Sequence, residues 1–188
     1  MTDEKDFKRK VREYASRTGR SYAGARHLLL SRNRGDAPMN TMPFRKVHKQ
    51  EFGFTVSLPE DWSEFPALLS NSPYEVARFA LRDHTSHVCL VFRMPGSRGL
   101  HPRGTAEQAQ SRQKSQGFGN FVLTDVDVAG RPGILLTFDK PIEGGRWAAR
   151  EYFVTAGSLV YCLGLASGDP QGDASLFDSM AARFEVAG

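Results

Sequence analysis

A chain of 188 residues with 40% hydrophobic and 24% charged residues can bury a real core, so wholesale disorder and a transmembrane architecture are both excluded, and the length suits one domain with an appendage. The formal net charge of +4 averages two unlike pieces: residues 1–50 hold 13 Lys and Arg against 5 Asp and Glu, net +8, whereas residues 51–188 hold 12 against 16, net −4. Two cysteines, Cys89 and Cys162, each inside an apolar run, argue against a disulfide framework and read as small buried hydrophobes.

From Asp3 to Ser16 the apolar positions Phe7, Val11, Tyr14 and Ala15 recur at helical spacing, with Lys8, Arg9, Lys10 and Arg12 on the other faces. The segment predicts a basic amphipathic helix. Gly19 can close it and Ser21 can cap a second helix carrying Tyr22, Ala25, Leu28 and Leu29, so the two predict a helical hairpin. Helices this short need packing to offset nucleation and chain entropy, so the hairpin must dock, pair or fold on a partner. Residues 31–43 then lose periodicity and collect Gly, Pro, Asn and Asp. The plan expected is a basic hairpin arm over 1–34, a flexible linker over 35–46 and a folded body over 47–188.

In the body the period changes to two. Phe54 to Leu58 alternates apolar and polar, with Pro59 ending the run. Further strand-like runs follow at Glu75–Arg82, Val88–Met94, Phe121–Val128, Gly133–Asp139, Trp147–Thr155 and Leu159–Ala166. Their short spacings suit antiparallel pairing. Thr105 and Gln108 have capping-box spacing and Gly117 can terminate a helix, so an almost wholly polar helix is expected over Thr105–Gln116. A closing helix over Pro170–Phe184 turns Leu176, Phe177, Met180 and Ala181 inward, and Phe184–Val186 can add a last short strand. The fold class expected is α+β: an antiparallel sheet sandwiched by helices, preceded by the hairpin.

Four stretches carry a resemblance to a known family: GFTVSLPEDW (Gly53–Trp62), GRPGILLTFD (Gly130–Asp139), REYFVTAGSLVYCLGLAS (Arg150–Ser167) and MAARFEV (Met180–Val186). Over most of residues 47–188 the body resembles the PsbP-like family. That resemblance implies an α/β/α sandwich and a binding or accessory role, with no functional motif to transfer residue by residue. The arm is similar to short N-terminal segments of actinobacterial proteins with a TG-x-SY-x-x-A core, which implies only a separable unit.

The arm, residues 1–34 with 10 Lys and Arg against 4 Asp and Glu, is the strongest candidate site, and Lys8, Arg9, Arg12, Arg17, Arg20, Tyr22, Arg26 and Leu29 are the expected partner-binding residues. Contact with an acidic protein surface is one use of this charge; contact with nucleic-acid phosphates, Arg32 and Arg34 included, is the other. No DNA-binding signature is complete, which favours the protein partner. Arg98, His101 and Arg103 lie in a Gly/Pro-rich loop before a helix start, where free amides favour an anion. His84, His87 and Cys89 have the look of zinc ligands, but a zinc site wants three or four that converge and the only other candidates are His101 and the distant Cys162, so a loop with exposed histidines and a core Cys89 is expected, and no metal or cofactor.

For catalysis the inventory is thin. Asp125, Asp127 and Asp139 read as strand or turn carboxylates, Glu151 as a strand residue, and Trp62, Trp147 and Phe153 as core or pocket wall. The N-terminus has no apolar secretory stretch, which predicts a cytoplasmic protein. The function expected is therefore a non-enzymatic adaptor: a body that recognises a protein, with the arm as a second contact. The alternative is a nucleic-acid-associated regulator.

Overall fold

A computed structural model describes residues 3–18, 43–81, 84–96, 101–128, 130–142, 145–169 and 172–187. The elements run α1 (Asp3–Thr18), β1 (Phe44–Lys49), a 3-10 turn (Gln50–Phe52), β2 (Phe54–Pro59), β3 (Trp62–Phe65), β4 (Glu75–Leu81), β5 (His84–Pro95), α2 (Pro102–Ser115), β6 (Gly119–Val128), β7 (Arg131–Ile142), β8 (Gly145–Ala156), β9 (Leu159–Ser167), α3 (Ala174–Ala182) and β10 (Glu185–Val186). The chain divides into two compact units, residues 1–42 with 141–146, and residues 43–140 with 147–188.

In the larger unit the strands form two sheets, one ordered β1-β2-β10 and one ordered β3-β4-β5-β9-β8-β7-β6. Pairing is antiparallel between β1 and β2, β10 and β2, β3 and β4, β4 and β5, β5 and β9, β6 and β7, and β8 and β9. Alternation then sorts side chains to opposite faces of the seven-stranded sheet. Cys89, Val91, Tyr152, Val154, Leu163 and Leu165 join Phe177 and Met180 of α3 and Phe54, Val56 and Leu58 of β2 in one core. Phe92, Ile134, Leu136, Phe153 and Cys162 join Ala106 and Ala109 of α2 in the other. Burial of these apolar side chains holds each helix against its face of the sheet, at roughly 25 cal/mol per Å² removed from water.

The helix α2 is polar on most of its faces and buries only Pro102, Thr105, Ala106 and Ala109, as its composition predicts. Its start differs from the expected capping box. His101 is the N-cap, Pro102 opens the first turn with its preset φ, and the Nδ1 of His101 accepts from the Arg103 amide at 3.3 Å. Thr105 lies buried inside the helix. At the other end Gly117, at φ 84°, supports a Schellman closure: its amide reaches the Lys114 carbonyl at 3.1 Å and the Phe118 amide reaches that of Gln113 at 3.2 Å.

Two further expectations need correction. The linker over 35–46 ends early, because Phe44–Lys49 is a strand whose register with β2 runs from Phe44 opposite Pro59 to Lys49 opposite Phe54. Arg45, Lys46 and Lys49 hide its apolar pattern, as edge strands often require. The four-residue β3 was too short for its periodicity to show. The segment from His84 is not a loop, since it begins β5. Of the hairpin, α1 is helical, with Val11 buried and Lys8, Arg9, Lys10 and Arg12 exposed; the second helix lies outside the described residues.

Candidate functional site

The connection from β3 to β4, residues 66–74, is tied down by one carboxylate. Glu75, 2% exposed, uses both oxygens: Oε1 accepts from the Leu68 amide at 2.9 Å and from Arg78 Nε at 2.8 Å, and Oε2 accepts from Asn71 Nδ2 at 2.9 Å and from Arg78 Nη2 at 2.8 Å. Backbone bonds from Asn71 to the Leu68 carbonyl and from Glu75 to the Ser72 carbonyl complete the loop. A buried carboxylate with every lone pair engaged fixes the geometry around it.

That fixed frame holds apolar groups in solvent. Phe65, Leu68, Leu69 and Tyr74 are 38%, 50%, 65% and 41% exposed. Scattered apolar residues on a surface are ordinary, but four within ten residues of one locked loop make a patch that water solvates poorly and a partner can cover. The patch adjoins β3, an edge of the larger sheet. On that strand the Trp62 carbonyl is already taken by Arg45 Nη2 at 2.6 Å, and the Glu64 carboxylate pairs with Lys49 at 2.6 Å, which puts charge along the edge.

Between the C-terminal half of α2 and the sheet lies a cavity of about 160 Å³. Leu90, Phe92, Phe138 and Trp147 wall it, Arg112 and Gln116 stand at its exposed rim, and Glu151 is in its floor. Gln113 Nε2 donates to Glu151 Oε1 at 3.2 Å. Burial pushes the Glu151 carboxyl up from 4.5 to about 7, against the opposing pull of Arg112 and of the Gln113 hydrogen bond. Sequence reasoning placed Glu151 in a strand and assigned it nothing; its parity with Ala149 and Phe153, both core-facing, was the available signal. A second hollow of about 240 Å³ includes Asn120, Phe138, Arg150 and Phe177. Asn120 there donates to Asp139 at 2.9 Å and Arg150 Nη2 pairs with Asp178 at 2.8 Å, while Arg150 Nε has no hydrogen-bond partner among the described residues.

The other expected site residues fall as follows. Arg9 pairs with Asp6 at 3.2 Å within α1, both exposed, and Lys8 and Arg12 are exposed beside it. Arg17 lies within α1. Arg20, Tyr22, Arg26 and Leu29 lie outside the described residues, as does Arg98. The remaining anion-loop residues are turned to internal work: His101 caps α2, and Arg103 Nη2 donates to Asp125 at 2.8 Å. His87 is largely covered, its Nε2 2.8 Å from Asp173 Oδ2 and its ring edge-on to Trp62, so the expectation of an exposed His87 is also corrected. Cys89 and Cys162 are buried, and burial drives both thiols well above their ordinary range. Among the described residues no group of three His, Cys, Asp or Glu converges as metal ligands. Among them, too, no helix is long and apolar enough to cross a membrane.

No protein-family model matches the chain, and no curated protein matches it in sequence. Solved structures do. The cyanobacterial PsbP protein CyanoP from Synechocystis sp. PCC 6803 superposes with a TM-score of 0.60 at 14% identity, over 80% of this chain and 96% of that one. The Ran-binding protein Mog1p of Saccharomyces cerevisiae gives 0.53 at 10% identity, over 78% and 96%. LpqN of Mycobacterium tuberculosis, involved in cell envelope biogenesis, gives 0.50 at 13% identity, over 78% and 91%. The chain has the PsbP-like fold, antiparallel sheets carrying a few helices.

Proposed function

We propose that the protein is a non-enzymatic cytoplasmic adaptor, whose body docks a protein partner through the Phe65–Tyr74 surface while the basic arm supplies a second contact. The observation that carries this reading is the exposure of Phe65, Leu68, Leu69 and Tyr74 on a loop locked by Glu75. A loop ordered before binding gives up little conformational entropy on docking, so its apolar area converts efficiently into affinity. Large apolar and aromatic side chains in such a patch are the usual anchors of an interface.

One fold neighbour, a Ran-binding protein, supports the reading of a protein partner. The arm contributes through charge. Its net +6 over residues 1–34 complements an acidic surface, and two modest contacts joined in one chain raise the effective concentration of the second. Partner chemistry follows: an apolar groove or shelf flanked by carboxylates.

Affinity capture from native extract with the full chain, followed by mass spectrometry, supplies the candidate partner, and variants then test the reading. Leu69→Asp places a charge at the most exposed of the four apolar residues and is expected to reduce affinity at least tenfold, about 1.4 kcal/mol or more. Lys8→Glu with Arg12→Glu is expected to weaken it further and to flatten its salt dependence. Full affinity in Leu69→Asp would remove the loop from the account. Duplex or RNA binding that declines steeply with salt, and is lost in the arm variant alone, would assign the arm to phosphates instead.

A further inference from the structure

We infer that the cavity between α2 and the sheet is a binding site for a small primary amine with a compact apolar body, its ammonium seated on the carboxylate of Glu151. Glu151 is 5% exposed. Its Oε1 is held by Gln113, while its Oε2 has no hydrogen-bond partner among the described residues. A buried carboxylate oxygen left unpaired costs desolvation energy, and an N–H donor from a ligand supplies the missing bond.

The neighbours of Glu151 are arranged to leave room there. In the sheet, Glu151 stands opposite Gly164, which stands opposite Leu90 on its other side. A Cβ on Gly164 would lie 3.5 Å from the Phe92 ring and 3.8 Å from Glu151 Cγ, ordinary contacts, so the glycine is not forced by its backbone. It keeps the floor beside the carboxylate open. The size of the hollow, about 160 Å³, is close to that of a cavity of about 150 Å³ that takes benzene. One ring or a short branched alkyl group therefore fits.

Charge selects among such ligands. Phe92, Phe138 and Trp147 present aromatic surface, which favours a cation over an anion, while the Phe118 ring already carries Lys140 Nζ at 4.4 Å from its centroid. Among the described residues, the charged or titratable groups that face Glu151 are Arg112 of α2, exposed at the rim, and Cys162 of β9; β5 presents Val88, Leu90 and Phe92, and the 66–74 loop presents Asn71 and Ser72. Glu151 is thus the one carboxylate in the site. Since burial holds its carboxyl near 7, an ammonium binds the ionised form and must displace a proton below that pH.

Benzylamine, titrated into the isotope-labelled full chain and followed by amide NMR, tests the site. Benzyl alcohol and benzoate serve as matched neutral and anionic probes. Saturable shifts centred on Gln113, Glu151 and Gly164 are expected for the amine at pH 8, with affinity about tenfold or more lower at pH 5.5. Glu151→Gln, which keeps shape and the bond to Gln113, is expected to lower amine affinity at least tenfold. Gly164→Ala is expected to lower it several-fold by filling the floor. Equal binding of benzyl alcohol, unchanged affinity in Glu151→Gln, or no saturable shift at high millimolar amine would each overturn the proposal.

Discussion

At the scale of single residues, Glu151 makes the sharpest prediction. A carboxyl raised from 4.5 to about 7 by burial binds its proton more tightly folded than unfolded. Between those two pH values the folded state holds the extra proton, so stability falls as pH rises through the interval and stays low above it. The loss is on the order of 3 kcal/mol. Denaturant titrations of wild type and Glu151→Gln from pH 4 to pH 8 are expected to diverge across this window, with the variant losing less stability as pH rises. Parallel curves would mean that the carboxylate is better solvated than its position implies. Gly133 is a second such residue, for a steric reason. A Cβ there would lie 2.6 Å from the Phe153 carbonyl oxygen and 2.9 Å from Val128. Because the first of these is backbone, Gly133→Ala is expected to destabilise by about 1–3 kcal/mol, read as a shift in denaturation midpoint.

At the scale of elements, the 66–74 loop depends on a residue outside it. Glu75→Ala removes four hydrogen bonds at once and leaves Arg78 without its partner carboxylate. Breaking a buried pair from one side costs about 3–5 kcal/mol, and the part exposure of Arg78 places this case at the low end. Hydrogen exchange of the Leu68 amide, whose acceptor is Glu75 Oε1, is expected to quicken in the variant more than that of amides in β9. The strands with several apolar positions in one run, β2 and β4 to β9, were legible from sequence, as were α2 and α3. Two were not. In β1 the edge position calls for cations that mask the pattern, and β3 has one buried side chain, Trp62, and no second to set a period. The Glu75 network was equally hidden, because it joins Leu68, Asn71 and Arg78 through a bend that alternation does not encode.

For the molecule as a whole, the charge division of the sequence and the two-faced core are separate facts with separate tests. The first bears on association: at about 0.1 M ionic strength charges are screened beyond roughly 10 Å, so the contribution of α1 is expected to shrink with added salt while the Leu69→Asp defect persists. Measuring partner affinity for both variants from low to high salt separates them. The PsbP-like fold was legible because four long strings carry its strands and closing helix, whereas the contact surface was not, since Leu68 and Leu69 sit in a stretch with no period at all.

Strand β10 has a consequence for how the chain is made. Glu185 and Val186 lie opposite Thr55 and Phe54, partners separated by about 130 residues of intervening chain, so β2 waits on the ribosome with one edge unfilled until α3 has emerged. Contacts this distant in sequence form late and slowly. The smaller sheet is therefore completed last during translation, and a nascent chain stalled after β9 would carry an open seam along β2 where a chaperone could bind.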